Sequence, residues 1–230
     1  AREMCIRDRI KDRHGEPLAI STPVQSVWAN PQQINTEDRE KIRQVGRLLS
    51  LSGNKLKALI SKKSNRRFVY LKRRINPDLA AKIKELGVDG IHFEKEFKRF
   101  YPAGEVSGHL VGFTDIDDVG QEGLERAYEA SLRGIAGKKH VIKDGKGRII
   151  KDVENIAEPV AGQDLTLTID QRIQYLAYRE LQAAFIKHQA HSASLVVLDA
   201  KTGEVLAAVN QPAFNPVSYT HLRAHETKAN

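Results

Sequence analysis

RFYPAGEVSGHLVGFTDIDDVGQEGLE, residues 99–125, is the stretch of sequence around which the rest of the chain is organised. It is rich in glycine and contains only one short apolar run, Leu110 to Phe113. Glycine adopts backbone conformations that other residues avoid, so this composition predicts a backbone that turns repeatedly. The glycines are Gly104, Gly108, Gly112, Gly120 and Gly123. We therefore expect a structural framework here, and not a substrate-binding loop.

The two ends of this stretch carry opposite charges. Burying either Arg99 or Glu125 without a partner would cost free energy. We therefore predict that the two side chains meet in a hydrogen-bonded network, with Arg13 as a further candidate member. The alternative is two exposed side chains, each of which contributes little to stability.

Hydrophobic periodicity on the N-terminal side of this stretch predicts a mixture of strands and helices. The predicted strands are residues 10–28, broken by a turn at His14-Gly15, then 67–74 and 91–100. The predicted helices run from Thr36 to Ser52, from Leu56 to Ile60, and from Asn76-Pro77-Asp78 to Gly87. This part of the chain therefore belongs to the α+β class.

The C-terminal side changes character near residue 160. We expect a helix over 122–132, and then a hairpin formed by 138–142 and 148–153 with a glycine turn at 144–147. A linker follows at 158–162. After it we expect a strand around Leu167, a long helix capped by Asp170, and a hairpin of 194–199 and 204–210. This order indicates a sheet covered by a helix, so we place a domain boundary near residue 160.

The positive charge is concentrated in one segment. The net charge is +8, and residues 39–100 hold 18 Lys and Arg against 6 Asp and Glu. Such a segment favours acidic proteins, anionic lipid or nucleic acid. Only Phe68 and Tyr70 lie among its arginines, and no nucleic-acid-binding module is apparent, so we expect no nucleic acid partner.

Other sequence features exclude whole classes. No run of 18 apolar residues predicts a transmembrane helix, and the first residues lack the pattern of a signal peptide. The single cysteine, Cys5, excludes an internal disulfide framework and a cysteine-rich metal site.

Three ordered motifs resemble those of the class B penicillin-binding proteins, most closely the division-specific D,D-transpeptidase of Gram-negative bacteria. The resemblance covers residues 10–216. Its first motif is residues 12–19, its second is 99–104 with 109–112, and its third is 120–125. The matching residues are Asp12, Arg13, Gly15, Arg99, Tyr101, Pro102, Gly104, His109, Gly112, Gly120, Gly123 and Glu125.

The resemblance implies a domain organisation. Residues 9–160 would form an elongated non-catalytic pedestal of the dimerisation-domain type. Residues 161–216 would supply the first strand, helix and hairpin of a truncated α/β transpeptidase domain that is similar to β-lactamases. We expect residues 1–8 to be a foreign or disordered leader, because Arg7-Asp8 stands where the family has Arg-Gly. Residues 217–230 depart from the family too, and we expect a foreign or disordered tail.

The family's reaction is acyl transfer from a stem peptide, in which a lysine one helical turn away activates a serine nucleophile. The resemblance implies a parent enzyme that cross-links septal peptidoglycan at the periplasmic face of the inner membrane. It would work with a membrane glycosyltransferase and other cell-division proteins, and would bind stem peptides and β-lactams only when complete. We expect this chain to lack the catalytic serine and to hold no cofactor or metal.

Four local patterns imitate chemical sites. Ser52-Gly53-Asn54-Lys55 matches S-x-x-K, but Gly53 would break the helix that must present the lysine. Lys201-Thr202-Gly203 spells the family's K-T-G, yet we expect a hairpin turn there. Asp115 and Asp117 begin a calcium-loop pattern that supplies too few oxygen ligands, so turn hydrogen bonds are expected instead. For His188 and His191 we expect solvated side chains.

A competing hypothesis comes from a different functional class. The chain would be a non-enzymatic scaffold or interaction module whose basic 39–100 segment binds acidic protein partners or anionic lipid. Covalent labelling by fluorescent penicillin distinguishes an active serine enzyme from such a module.

Overall fold

The structure is a computed structural model, and it describes residues 2–3, 6–34, 38–52, 56, 58, 65–135, 137–143, 149–158 and 160–218. Only the backbone is described for residues 2–3, 39, 138–143 and 149–156. Predictions for Cys5, the start of the first helix at Thr36, the turn at 144–147 and the tail from 219 fall outside these residues. Most of the predicted short helix after Leu56 does so too.

The described residues form an α+β fold, as the sequence predicts. The strands are β1 (Arg2–Glu3), β2 (Ile10–Lys11), β3 (Pro17–Ala29), β4 (Val69–Ile75), β5 (Ile91–Phe100), β6 (Gly137–Lys143), β7 (Ile149–Ala157), β8 (Leu165–Thr166), β9 (Ala193–Leu198) and β10 (Val205–Gln211). The α-helices are α1 (Arg39–Leu48), α2 (Pro77–Glu85), α3 (Gly108–Val111), α4 (Gly123–Ala127), α5 (Glu129–Arg133) and α6 (Gln171–Lys187). The single helix predicted over 122–132 is thus two short helices, α4 and α5.

The chain divides into two compact units, one of residues 1–21 with 99–230 and one of residues 22–98. The chain passes into the second unit within β3 and leaves it at the end of β5. In the second unit, the Thr22 hydroxyl donates to the Lys98 carbonyl oxygen at 3.2 Å. This division follows spatial contacts, and the domain limits at 9, 160 and 216 stay predictions.

The second unit is a sheet with helices on one face. β3 pairs antiparallel with β4 through residues 25–29, and it also pairs with β5. Along β4, Val69 and Leu71 are buried while Tyr70 between them is exposed, because successive side chains of a strand point to opposite faces. The buried face packs against helices α1 and α2, whose contributions include Val45 and Ile83.

The start of α2 is fixed locally. The Asn76 side chain accepts a hydrogen bond from the Asp78 N–H at 3.0 Å, and Pro77 occupies the first helical position. An asparagine cap and a proline at this position both favour helix initiation, as the sequence predicts.

The first unit holds two buried clusters. In one, β2 lies between β3, its antiparallel partner, and β8, its parallel partner. Its core residues are Ile10, Leu18, Ala19, Tyr101, Val111, Phe113 and Leu132. In the other, α6 packs on the β9–β10 hairpin through Ala177, Tyr178, Ala207 and Val209. The strand, helix and hairpin predicted after residue 160 are therefore present.

Val217 and Ser218, the first two residues of the predicted tail, lie within the described residues. Val217 packs against the cluster that contains Phe113, and its N–H donates to the Asn215 side chain at 3.0 Å. The prediction of a disordered tail from residue 217 is therefore wrong for this residue. In the part of the chain that the structure describes, no helix has the length and apolar character needed to cross a membrane.

We expect the Ile83→Ala variant to lose about 2–5 kcal/mol of unfolding free energy, the usual cost of removing a buried aliphatic side chain. Ile83 is 2% exposed in the core of the second unit. Urea unfolding is followed by the fluorescence of Trp28, the only tryptophan of the chain, which lies in the same unit. The control is Lys82→Ala, an exposed neighbour on α2, and an equal loss in both variants would contradict the assigned core.

Candidate functional site

The predicted meeting of Arg99 and Glu125 is confirmed. Glu125 lies on α4 with its side chain fully buried, and the Arg99 Nε donates to its Oε1 at 2.7 Å. Arg99 is 3% exposed, at the C-terminal end of β5. The two residues are 26 positions apart, so the contact joins the second motif to the third.

The third member of this network is Arg7, not Arg13. The Arg7 Nε donates to Glu125 Oε2 at 2.6 Å, so each carboxylate oxygen receives one guanidinium. Arg13 instead pairs with Glu204 at 3.1 Å. A leader that is disordered at Arg7 is also wrong, because this side chain is 3% exposed and hydrogen-bonded in the interior.

Arg7 also holds the backbone around the third motif. Its guanidinium donates to the carbonyl oxygens of Asp118 and Glu125, at 3.1 and 2.7 Å, and to the carboxylate of Glu129 at 2.7 Å. Burial lowers the pKa of Arg7, but the Glu125 and Glu129 carboxylates outweigh this effect and raise its pKa above the ordinary value. The arginine therefore remains charged, and it replaces lost hydration with hydrogen bonds to the protein.

The network extends to β3 through Ser21. The Ser21 hydroxyl donates to the Arg7 carbonyl oxygen at 2.9 Å, and Arg99 Nη1 lies within 3.1 Å of the same hydroxyl. Arg99 Nη1 also donates to the Arg7 carbonyl oxygen at 3.2 Å. Segments that are far apart in sequence therefore share one buried hydrogen-bonded centre. We call Arg7, Ser21, Arg99, Glu125 and Glu129 the buried charge cluster.

Glycines bring the second and third motifs into backbone contact. A Cβ added at Gly112 would lie 1.9 Å from the Glu122 carbonyl oxygen, and one added at Gly120 would lie 2.1 Å from that of Glu125. No side chain fits at either position without moving backbone. The framework predicted for residues 99–125 is therefore a close approach of two backbone segments, and it places Glu125 beside Arg99.

Tyr101, Pro102 and Gly104 form a turn on the same framework. The Gly104 N–H donates to the Tyr101 carbonyl oxygen at 3.0 Å, and Gly104 has a φ of +50°. The buried Tyr101 hydroxyl accepts from the Thr114 N–H at 3.0 Å. Burial, with the nearby charge of Glu125, raises the pKa of Tyr101 well above its ordinary value, so the phenol remains neutral.

His109 connects the second motif to the segment after β10. Its Nε2 lies 2.9 Å from the Pro212 carbonyl oxygen, which can only accept, so Nε2 donates. The imidazole also meets the Phe214 ring edge to face at 4.7 Å. Neither contact leaves this ring nitrogen free for acid–base chemistry.

The first motif is built around the Asp12 carboxylate, which is 1% exposed. Its Oδ1 accepts from the N–H groups of His14 and Glu16, at 2.8 and 2.9 Å, and Gly15 completes the turn with a φ of +87°. Its Oδ2 accepts from the Gln171 N–H, at 3.2 Å, in the first turn of α6. The sequence gives no indication of this second role, because Gln171 is distant along the chain.

The charged neighbours of Asp12 also bind residues beyond 160. Arg9 Nη2 lies 2.7 Å from Asp164 Oδ2, and Lys11 forms an ion pair with the same carboxylate. His14 Nε2 lies 3.0 Å from Asp170 Oδ2, and Arg13 pairs with Glu204. We call this set of pairs, Arg9, Lys11, Asp12, Arg13 and His14 with Asp164, Asp170, Gln171 and Glu204, the electrostatic seam.

Two carboxylates of the seam are strongly perturbed. Hydrogen bonds from Arg9, together with Lys11, hold the pKa of Asp164 well below its usual range. Hydrogen bonds from Arg172, and then from His14, lower the pKa of Asp170 in the same way. Both groups are therefore anionic at neutral pH.

The patterns that imitate chemical sites lie where turns were expected. Asp115 Oδ1 accepts from the N–H groups of Asp117 and Val119, at 2.8 and 3.0 Å, which confirms turn hydrogen bonds. Lys201-Thr202-Gly203 forms the β9–β10 turn, in which Asp199 Oδ1 accepts from the Lys201 N–H at 2.8 Å.

His188 and His191 are both exposed, as expected, and Ser52 is exposed as well. The rest of its S-x-x-K pattern, residues 53–55, lies outside the described residues. Within the described residues, no group of three or more His, Cys, Asp or Glu could hold a metal ion.

We expect the Glu125→Gln variant to lose about 3–5 kcal/mol of unfolding free energy, because two buried guanidinium groups would then face each other without a full counter-charge. Glu122→Gln is the matched control, since Glu122 is exposed in the same motif, and it should change stability by less than about 0.5 kcal/mol. Urea unfolding measures both. Equal effects would show that Glu125 is not the centre of the cluster.

The seam predicts a specific dependence of stability on pH. The folded-state pKa values of Asp164 and Asp170 are depressed, so their contribution is present above the unfolded pKa of about 3.9 and is lost as pH falls through the folded values. The Asp164→Asn/Asp170→Asn variant should be less stable at pH 7 and should lose less further stability on acidification.

Acid titration followed by circular dichroism checks this expectation. Asp89→Asn is the control, because Asp89 is exposed and no side-chain partner for it lies among the described residues. An acid transition that the double substitution leaves unchanged would contradict the assigned pairs.

Comparison with known proteins places these features in a family. The family model for the Penicillin-binding Protein dimerisation domain matches residues 3–167. The Escherichia coli K12 peptidoglycan D,D-transpeptidase FtsI is 43% identical over 216 residues, which are 91% of this chain and 36% of that protein. The probable peptidoglycan D,D-transpeptidase PenA of Neisseria meningitidis Z2491 is 41% identical over 214 residues, again 91% and 36%.

Solved structures show the same fold. Penicillin Binding Protein 2X from Streptococcus thermophilus has a TM-score of 0.67 at 23% identity, over 94% of this chain and 36% of that one. PBP2 of Helicobacter pylori, solved in complex with MreC, has a TM-score of 0.74 at 21% identity, over 100% of this chain and 46% of that one.

This chain spans only 36% of the length of the E. coli relative, so the match concerns one part of that protein. Within this chain the family model covers residues 3–167, well over half of the sequence and the whole of the buried charge cluster. The sequence resemblance to class B penicillin-binding proteins is thereby confirmed, and the chain belongs to the penicillin-binding protein dimerisation domain family.

Proposed function

We propose that this chain is the pedestal part of a peptidoglycan D,D-transpeptidase together with the beginning of its catalytic domain. Residues 9–160 form the non-catalytic pedestal in this proposal, and residues 161–216 begin the transpeptidase domain. The function of the chain is to hold that domain in position. The family membership and the curated transpeptidases among its relatives support this assignment.

The electrostatic seam is the observation that carries the positioning role. The charged residues from Arg9 to His14, apart from their own turn hydrogen bonds, bind partners between residues 164 and 204. Strand β2 adds parallel pairing with β8 to the same junction. Backbone pairing fixes register, while opposite charges penalise any shift along the seam. Both sides lie in the first unit, so the seam fixes the start of α6 relative to the first motif.

The buried charge cluster makes the pedestal side of this seam rigid. Arg7 lies two residues before Arg9, the first residue of the seam, and its guanidinium and carbonyl oxygen are both held in the cluster. A catalytic domain gains from such support, because small displacements of reacting groups reduce rates steeply. The motif residues from Asp12 to Glu125 act as structural residues in this proposal, with no catalytic role.

In this proposal the chain does not contain the catalytic nucleophile. The K-T-G text, Lys201-Thr202-Gly203, forms a hairpin turn. In the family's chemistry a serine attacks the stem-peptide carbonyl and a later Lys-Thr-Gly strand binds a carboxylate. We propose that, in the parent protein, these groups follow the 161–216 segment.

We further propose that the parent works at the periplasmic face of the inner membrane, with a membrane glycosyltransferase and other cell-division proteins. Its curated relatives come from bacteria such as E. coli and N. meningitidis. The PBP2 neighbour was solved with MreC, which supports a partner-binding role for proteins of this fold. Stem peptides and β-lactams are ligands of the complete parent.

Fluorescent penicillin tests the assignment. We expect no covalent labelling of this chain, and labelling of the protein encoded by the full reading frame that contains it. Labelling of the chain alone would refute the absence of an active serine, and failure of the full protein to label would refute the transpeptidase assignment.

The positioning role has its own measurement. In the full protein, Asp164→Asn/Asp170→Asn should lower the rate of acylation by about 10- to 100-fold, because the catalytic domain is displaced. Asp89→Asn, in the second unit, should leave the rate unchanged. An unchanged rate in the seam variant, with labelling retained, would overturn the positioning role and leave the enzyme assignment intact.

A further inference from the structure

We propose that the open sheet face of the second unit binds an acidic segment of a partner protein, which inserts one apolar side chain beside Trp28. The surface consists of Trp28, Phe68, Tyr70 and His92, which we call the aromatic patch. This inference goes beyond the pedestal function, and it stands whether or not the parent is a transpeptidase.

The patch is a contiguous set of rings on the side of the sheet that the helices do not cover. Trp28 and Tyr70 are direct partners in the β3–β4 register, and both point away from the buried face formed by Val27, Ala29 and Leu71. Trp28 stacks on His92 at 4.3 Å and lies 4.7 Å from Phe68, which meets Tyr70 edge to face at 4.7 Å.

These rings are more exposed than core packing requires. Phe68 is 44% exposed and Tyr70 is 37% exposed. The Tyr70 hydroxyl donates to Glu94 at 3.0 Å, and the Arg73 guanidinium lies 5.2 Å from the Tyr70 ring centre, so the ring is held in place. Fixed aromatic side chains lose little conformational entropy on binding, and they are enriched where protein interfaces derive their energy.

A cavity of about 490 Å³ adjoins the patch. It is lined by Trp28 and His92 together with Ile83, Val88, Phe93 and Lys84. Its volume is ample for one large side chain, and its walls combine apolar side chains with the polar groups of Lys84, Asp89 and His92. Burial lowers the pKa of His92, so its ring is neutral at neutral pH and contributes an uncharged surface.

The surrounding charge selects an acidic partner. Arg66 and Arg67 directly precede Phe68 and are exposed, and neither makes an ion pair with another described residue. Of the nearby acids, Glu96 is neutralised by Arg73 at 3.1 Å and Glu94 accepts from Tyr70. Asp89 and Lys84 both line the cavity. The net charge around the patch is therefore positive, as is the net charge of residues 39–100 as a whole.

The shape of the surface favours a protein segment over a lipid bilayer. A bilayer offers anionic headgroups in a plane, whereas the surface here continues from Trp28 and His92 into a cavity that Ile83 and Lys84 of α2 also line. An apolar anchor flanked by carboxylates satisfies both the cavity and the arginines, and it requires no flat contact.

The test begins with a random 12-residue peptide library selected on the full chain and depleted on its Phe68→Ala variant. We expect enriched peptides to carry several Asp or Glu residues around one aromatic or leucine residue. A tryptophan-free synthetic version is then titrated while the fluorescence of Trp28, the only tryptophan, is recorded. Its Lys-for-Glu counterpart and phosphatidylglycerol vesicles are titrated in parallel.

Matched variants make the outcome decisive. Arg67→Glu should weaken the peptide at least tenfold, while Lys82→Glu, an exposed charge reversal outside the cavity lining, should change affinity less than twofold. Phe68→Ala should also weaken binding, whereas Tyr128→Ala, with the same 44% exposure in the first unit, should not. Circular dichroism confirms that each variant is folded.

Three results would overturn the proposal. One is the absence of enriched peptides that depend on Phe68. Another is equal binding of the acidic peptide and its lysine counterpart. The third is a Trp28 response to phosphatidylglycerol vesicles but to no acidic peptide, which would assign the face to a lipid surface instead.

Discussion

A single buried carboxylate determines how the first unit is assembled. Glu125 accepts one guanidinium at each oxygen, from Arg7 and from Arg99, and these donors lie 92 positions apart in the sequence. Arg99 has no other carboxylate partner among the described residues, and Arg7 shares Glu125 with Glu129, so loss of Glu125 would leave buried guanidinium charge uncompensated, which is strongly destabilising. The glycines at 112 and 120 are required for the same reason, since any side chain there would push Glu125 and its neighbours apart. Sequence motifs that look independent are therefore parts of one electrostatic arrangement.

The seam uses charge differently from the cluster. Its pairs are partly exposed, so each one alone contributes little to the free energy of unfolding. Their effect comes from the number of pairs and from the fixed arrangement of the opposite charges. A row of basic side chains between Arg9 and His14 meets acids that come from three separate positions beyond residue 160. The buried charge cluster therefore stabilises the first unit. The electrostatic seam determines how the residues after 160 are placed against the first motif.

The sequence was informative wherever the cause was local. The Asp170 cap, the Asn76-Pro77 start of α2 and the Asp115 turn all depend on neighbours within a few residues, and all are found as predicted. The pairing of Arg99 with Glu125 could be predicted although they are far apart in sequence, because burying either charge without a partner of opposite charge costs free energy. Arg7 was not predicted as a member of the cluster, because Asp8 beside it replaces the glycine of the family pattern, although the arginine of that pattern is present. The double use of Asp12 had no sequence signal, since its second partner is the backbone N–H of Gln171.

The division into two units was equally invisible in a linear reading, because both crossings lie inside regular strands. The ends of the second unit, Thr22 and Lys98, meet through a hydrogen bond of 3.2 Å. Residues 22–98 are an insertion whose two ends lie close together, and the first unit is the discontinuous one. A short bridge between residues 21 and 99 would be enough to make the first unit continuous. The length of residues 22–98 can therefore change without changing the spacing that the surrounding chain must span, so the surface of the second unit can change independently of the buried charge cluster.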